Sequence, residues 1–141
     1  MNRRSGAAVW GLVLVVAAAA AGCRRANDTG NMIELQRLRS GTLEIVLLSR
    51  RDALRHGEDA FVIEFRSTPG GKVVDVGDVR ASANMPMPGM PGFGDIDVKR
   101  TDVAGRYEAN SDFEMEGTWR MTIQWKGPAG QGSVTFPATV Q

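Results

Sequence analysis

The stretch from Met85 to Gly94 constrains the fold of this chain most, because it holds three methionines and three prolines in ten residues. Proline lacks a backbone N–H and has a fixed φ, so Pro86, Pro88 and Pro91 exclude a central strand or a helix interior. Strand-like sequence lies on both sides. The stretch is therefore predicted to be a stiff loop at the edge of a sheet.

The methionines of this loop have a spacing that could bring them together. If the backbone is extended, Met85 and Met87 point the same way at roughly 6.5 Å, because side chains of a strand alternate between faces. The Pro88-Gly89 pair can then turn the chain and return Met90 toward them. Three thioether sulfurs would in that case meet at one point.

Thioethers are soft, neutral ligands that suit Cu(I) and poorly suit zinc, calcium or magnesium. The sequence thus offers Met85, Met87 and Met90 as a candidate Cu(I) site. The alternative is that these side chains form an adaptable apolar surface, which packs over the end of the domain or against a partner protein. Both interpretations stay open at this stage.

The N-terminus has the order of a bacterial lipoprotein signal peptide. Arg3 and Arg4 give a basic start, residues 7–21 are almost wholly apolar, and small residues precede Cys23, the only cysteine in the chain. We expect residues 1–22 to be removed and Cys23 to carry the lipid. An uncleaved signal anchor or a plain secretory signal is the alternative, although the apolar run is shorter than the ~20 residues of a spanning helix.

The remainder fits one domain behind a tether. Residues 23–40 are mostly polar and are interpreted as the lipidated N-terminus and tether, which ends in a short helical or edge segment. Residues 41–141 form the predicted domain. The chain has 17 basic and 16 acidic side chains, and this balance argues against a nucleic-acid partner, which normally requires a clustered basic face.

Short segments with a two-residue period and Gly/Pro turns between them predict an all-β fold. The predicted strands are Thr42–Ser49, Ala60–Ser67, Lys72–Asp75, Val79–Asn84, Ile96–Val98, Arg106–Met115, Thr118–Trp125 and Gly132–Val140. Seven or eight such strands without a helical pattern are typical of an immunoglobulin-like antiparallel β-sandwich.

Three local features refine this fold prediction. The turn signal at Glu116-Gly117 suggests a hairpin between the strands Arg106–Met115 and Thr118–Trp125. Tyr107, at the start of a late strand, is expected to pin a loop of the sandwich as a structural corner. Trp119 and Trp125 share one face of their strand and are expected in the core.

Several short motifs occur together in an order that resembles a known family, the YtkA-like domain, which is related to FixH-like proteins. They are Gly57, Gly71-Lys72-Val73-Val74, Asn84-Met85-Pro86-Met87, Gly105-Arg106-Tyr107 and Met115-Glu116-Gly117-Thr118-Trp119. The resemblance covers about Gly41 to Gln141. It implies a small exported or membrane-tethered β-sandwich with a role in copper handling, beside copper-efflux or cytochrome-oxidase assembly components. Where family members have a histidine next to the methionines, this chain has Asn84.

These expectations favour a non-enzymatic protein of the cell envelope, held to the membrane by lipid and facing the periplasm or the exterior. With His56 as its only histidine, and Cys23 acylated, the chain offers little for nucleophilic catalysis. The acidic pairs Glu114/Glu116 and Asp95/Asp97 are interpreted as solvated faces. Two functions remain: copper binding by the methionine loop, or metal-free docking of that loop and Phe93 on a membrane transporter or an oxidase-assembly protein.

Overall fold

A computed structural model describes residues 30–90 and 92–141, so the predicted signal peptide, Cys23 and Pro91 lie outside the described residues. The described chain is built from eight strands. They are β1 (Ile33–Ser40), β2 (Leu43–Ser49), β3 (Gly57–Ser67), β4 (Asp78–Met85), β5 (Gly92–Arg100), β6 (Arg106–Phe113), β7 (Gly117–Gly127) and β8 (Gly130–Val140). Within the described ranges, no helix has the length and apolar character needed to cross a bilayer.

The strands lie in the order β1-β2-β3-β6-β5-β4-β7-β8, and every neighbouring pair is antiparallel. The first sheet contains β1, β2, β3, β6 and most of β5, whereas the second sheet contains β4, β7 and β8. The predicted all-β antiparallel sandwich is therefore confirmed.

Strand β5 connects the two sheets. Its first residues, Gly92 to Gly94, pair with the end of β4, and the residues from Asp95 onward pair with β6. The strand thus passes from the second sheet to the first at one corner of the sandwich. The methionine loop, between β4 and β5, lies at this corner.

The core lies between the two sheets and is lined by the alternating faces that the sequence pattern indicated. Trp119, Met121 and Ile123 of β7 are fully buried, and Trp125 is almost so. Across the core, the Phe65 ring packs edge-on against Trp125 with centroids 5.4 Å apart. The predicted core positions of both tryptophans are confirmed.

Two local predictions are wrong. The strands β6 and β7 do not form a hairpin, because β6 pairs with β3 and β5 while β7 pairs with β4 and β8. The turn after Phe113 instead carries the chain across the core, so that the apolar faces of the two strands pack face to face. The predicted strand Lys72–Asp75 is a loop with a single bridge, between Val73 and Arg66.

The tether ends in an edge strand, one of the two possibilities that the sequence left open. Strand β1 pairs along β2, from Ile33 opposite Ser49 to Ser40 opposite Leu43.

The outer face of this sheet is less exposed than simple alternation suggests. Glu64 on that face is 1% exposed, because ion pairs of 2.6 Å with Arg66 and Arg106 cover its carboxylate.

Tyr107 forms the predicted corner. Its buried hydroxyl donates a 2.7 Å hydrogen bond to the carbonyl oxygen of Gly77, and Asp75 Oδ1 lies 3.2 Å from it. The same carboxylate accepts from the backbone N–H of Gly77, which lowers the pKa of Asp75. Burial, together with the nearby Asp75 charge, raises the pKa of Tyr107. The corner holds the loop before β4 against the start of β6.

We predict that Tyr107→Phe lowers the free energy of unfolding by about 1–3 kcal/mol, because the buried Gly77 carbonyl loses its partner. Urea denaturation followed by tryptophan fluorescence measures the change. The tyrosine pKa is raised in the fold, so this difference should hold below the ordinary value of about 10 and shrink as pH rises through the raised value.

Thr122→Val is the control for that substitution, because it removes a hydroxyl that is hydrogen-bonded only to Thr135 on the outer surface. It should change stability by less than about 0.5 kcal/mol. Equal effects of the two substitutions would contradict a special role for the tyrosine corner.

Candidate functional site

The methionine loop begins where the last backbone pair of β4 and β5 ends. Met85 pairs with Gly92, and the residues between them lie beyond the ladder. Gly89 has φ of 87°, a left-handed conformation that glycine adopts at little cost. The chain therefore reverses at the Pro88-Gly89 step, where the sequence predicted a turn.

Met85 is a packed residue at the base of the loop. It is 9% exposed and belongs to the core between the sheets. Its Cε lies 2.9 Å from the position that a β-carbon of Gly117 would occupy, and its sulfur lies 3.8 Å from that position. The Met85 side chain thus connects the end of β4 to the start of β7.

Met87 folds back toward Met85. It is half-buried and packs against the core. The position of a β-carbon on Gly92 would lie 3.7 Å from Met87 Cε and 3.5 Å from Met85 Cβ. Two of the three predicted ligands are therefore neighbours on one side of the loop, as extended backbone geometry predicted.

Met90 differs from the other two methionines. Its side chain is 77% exposed at the far side of the turn, and Phe93 nearby is 67% exposed. The loop therefore has a packed base and an apolar tip in solvent.

Trp119 supports the loop from below. Its Cη2 and Cζ3 lie 3.5 and 3.4 Å from the β-carbon positions of Gly92 and Gly94, respectively, so the start of β5 packs on this ring. A β-carbon on Gly94 would also lie only 3.1 Å from Cδ1 of Phe113, which is tighter than an ordinary contact. The Trp119 indole packs against Phe113 with centroids 5.2 Å apart, and its Nε1 donates a 3.0 Å hydrogen bond to the carbonyl oxygen of Met115. The Trp119 side chain thus connects the base of the methionine loop to the β6–β7 turn.

The donors within the loop itself are uncharged. No charged side chain occurs from Asn84 to Gly94. Over residues 30–90 and 92–141, no group of three histidine, cysteine, aspartate or glutamate side chains could hold a metal ion. The side chains present therefore suit a soft cation such as Cu(I), whereas they offer little to a hard cation.

Two other titratable residues named above, Asp97 and His56, do not belong to this group of possible ligands. Asp97 forms a 2.8 Å ion pair with Lys99 on the exposed face of β5. His56 is exposed, and its backbone N–H donates to the carbonyl oxygen of Gln141. Met115 is half-buried beside Trp119, which leaves a fourth thioether at the same end of the sandwich.

The sequence pattern predicted the methionines of the candidate site but not the Trp119 ring that packs beneath them. Trp119 was expected only as a core residue, and nothing in the alternation of β7 distinguishes it from Trp125. The spacing Gly92-Phe93-Gly94 carried the missing signal. Two small residues on one face of a strand allow a large ring to approach the backbone.

Comparison with known proteins gives one match. Residues 38–124, more than half of the chain, match the family described as YtkA-like. A search of curated proteins found no match to the chain.

We predict that the base and the tip of the loop differ in their effect on stability. Met85→Ala should lower the free energy of unfolding by about 2–5 kcal/mol, because it leaves a cavity beneath Gly117. Met90→Ala removes the same atoms from an exposed position and should change stability by less than about 0.5 kcal/mol. Urea denaturation of both variants measures the contrast, and similar losses would show that the tip is also packed.

Proposed function

The chain belongs to the YtkA-like family, and from that premise we propose that it is a lipid-anchored accessory protein of the cell envelope whose methionine loop binds Cu(I). Copper is the cargo in this proposal, and the sandwich is the rigid support. The Cu(I) ligands are Met85, Met87 and Met90. Lipid on Cys23 would keep the domain at the membrane, on its periplasmic or outer side, near a copper transporter or an oxidase-assembly protein.

The neighbouring positions of Met85 and Met87 carry this proposal. Their side chains both approach Gly92, to within 3.5 and 3.7 Å of its β-carbon position. Two side chains that the fold already holds beside the same residue lose less conformational entropy when they bind a common ion. Met90, on the exposed side of the turn, is free to complete the site.

A neutral donor set has a further chemical consequence. A thioether never has to lose a proton, so a site of methionines can hold Cu(I) over a wide pH range. Met85 is largely buried and Met90 is exposed. In such a site the core would hold the Met85 sulfur in place, and Met90 would be the accessible ligand.

A second function is favoured by the exposed tip itself. Met90 and Phe93 together present a large apolar surface that the rest of the sandwich does not cover. Such surfaces commonly mark interaction sites. In this alternative the domain docks on a membrane transporter or an oxidase subunit through the loop, without metal.

An anaerobic Cu(I) titration of the full chain against a chromophoric chelator separates the two functions. We expect the wild-type chain to take one equivalent of Cu(I) from the chelator. The triple variant Met85→Leu/Met87→Leu/Met90→Leu keeps apolar bulk but removes sulfur. It should take none.

Met32→Leu is the matched control, because Met32 packs on the outer face of the first sheet and not among the methionines of the loop. It should bind copper like the wild type. If wild type, triple variant and control all fail to compete for copper, the copper proposal is contradicted, and the loop is left as a docking surface.

A further inference from the structure

The exposed apolar side chains of the described residues share one end of the sandwich. They are Ile33, Met90 and Phe93, which are 48%, 77% and 67% exposed. Ile33 begins β1 opposite Ser49, the last residue of β2. Met90 and Phe93 lie beyond and beside the last pair of β4 and β5 at the same end. The opposite end carries the β1–β2 and β7–β8 turns.

The chain also enters the fold at this end. Strand β1 starts at Ile33, so Cys23 precedes the fold by ten residues. Ten residues span at most about 36 Å when fully extended. A lipid on Cys23 would therefore keep the domain beside the bilayer, with the chain entering at the end that carries the methionine loop. The tether is long enough to leave the orientation to the contacts that this end makes with lipid.

The loop has the composition of a segment that can enter lipid at low cost. Its residues from Asn84 to Gly94 contain no charge. Pro86, Pro88 and Pro91 have no backbone N–H, so three donors that would lose their hydrogen bonds in an apolar layer are missing. Methionine and phenylalanine at the tip add side chains that gain from leaving water.

Around this tip, exposed acidic side chains outnumber the basic ones. Arg50 and Arg51 follow β2, whereas Asp95 and Asp112 are paired beside the start of β5, and Glu114 and Glu116 lie in the turn before β7. Anionic headgroups therefore would not attract this end, and apolar insertion is the favourable contribution to binding. A zwitterionic bilayer should be a sufficient partner.

We propose that Met90 and Phe93 insert into the phospholipid interface, with Ile33 on the same rim, and hold the methionine loop against the bilayer. This orientation rests on the lipid anchor of the proposed function but not on copper binding. It would place the candidate Cu(I) site at the membrane surface, where a membrane-embedded donor or acceptor could reach it without the domain turning over.

Tryptophan reporters in vesicles test the orientation. The full chain is purified from membranes and reconstituted into phosphatidylcholine vesicles with or without brominated acyl chains, which quench nearby indoles. Phe93→Trp puts the reporter at the proposed contact, and Ala129→Trp puts it in the exposed β7–β8 turn at the opposite end. The native Trp119 and Trp125 are buried and give the same background in both variants.

We expect brominated lipid to quench about half or more of the emission added by Phe93→Trp, because interfacial insertion reaches roughly 5–10 Å into the boundary of the acyl chains. The emission added by Ala129→Trp should not change. Adding Met90→Asp to Phe93→Trp should abolish the quenching, since a charge at the tip opposes insertion. Met90 is exposed, so this variant should fold.

Two results would overturn the proposal: no quenching of Phe93→Trp, or equal quenching of both reporters. Shielding of Phe93→Trp from aqueous quencher in native membranes but not in pure lipid would assign the tip to a protein partner, and would also overturn it. Vesicle flotation reports the anchor separately. No copper is present, so a failed copper titration leaves this test unaffected.

Discussion

The packing of Trp119 is the interaction on which the candidate site depends. Its indole fills one face of the core at this end. The ring packs on β5 at Gly92 and Gly94, and its Nε1 donates a hydrogen bond to the Met115 carbonyl oxygen in the β6–β7 turn. Because β5 crosses between the sheets at the same point, the ring holds the strand switch in place. The methionine loop therefore starts from a packed base.

This arrangement divides one short motif into parts with different physical roles. Met85 is part of the core, Met87 packs against the core, and Met90 lies in solvent with Phe93. In the proposed Cu(I) site, Met85 would be a packed ligand and Met90 an exposed one. Met90 is the residue that the two proposals share, as the third Cu(I) ligand and as part of the exposed tip, whereas Met85 and Phe93 each belong to one proposal only.

The sequence predicted the fold class because strands of a sandwich alternate between core and surface, and this alternation is strong in β3 and β7. It did not predict which strands pair with each other, because the pattern of β6 and β7 fits a hairpin as well as two strands that face each other across a core. The spacing of Met85 and Met87 predicted their common side correctly. Exposure of Met90 depends on the path of the turn after Gly89, which local sequence does not determine.

The most direct test of the account is an NMR titration of the chain with its methionine methyl groups labelled with carbon-13. We predict that one equivalent of Cu(I) shifts the methyl signals of Met85, Met87 and Met90 together. The signal of Met121, which is fully buried in the core, should stay in place. Unchanged loop signals in excess Cu(I), or shifts confined to methionines outside the loop, would contradict the claim that this loop is a copper site.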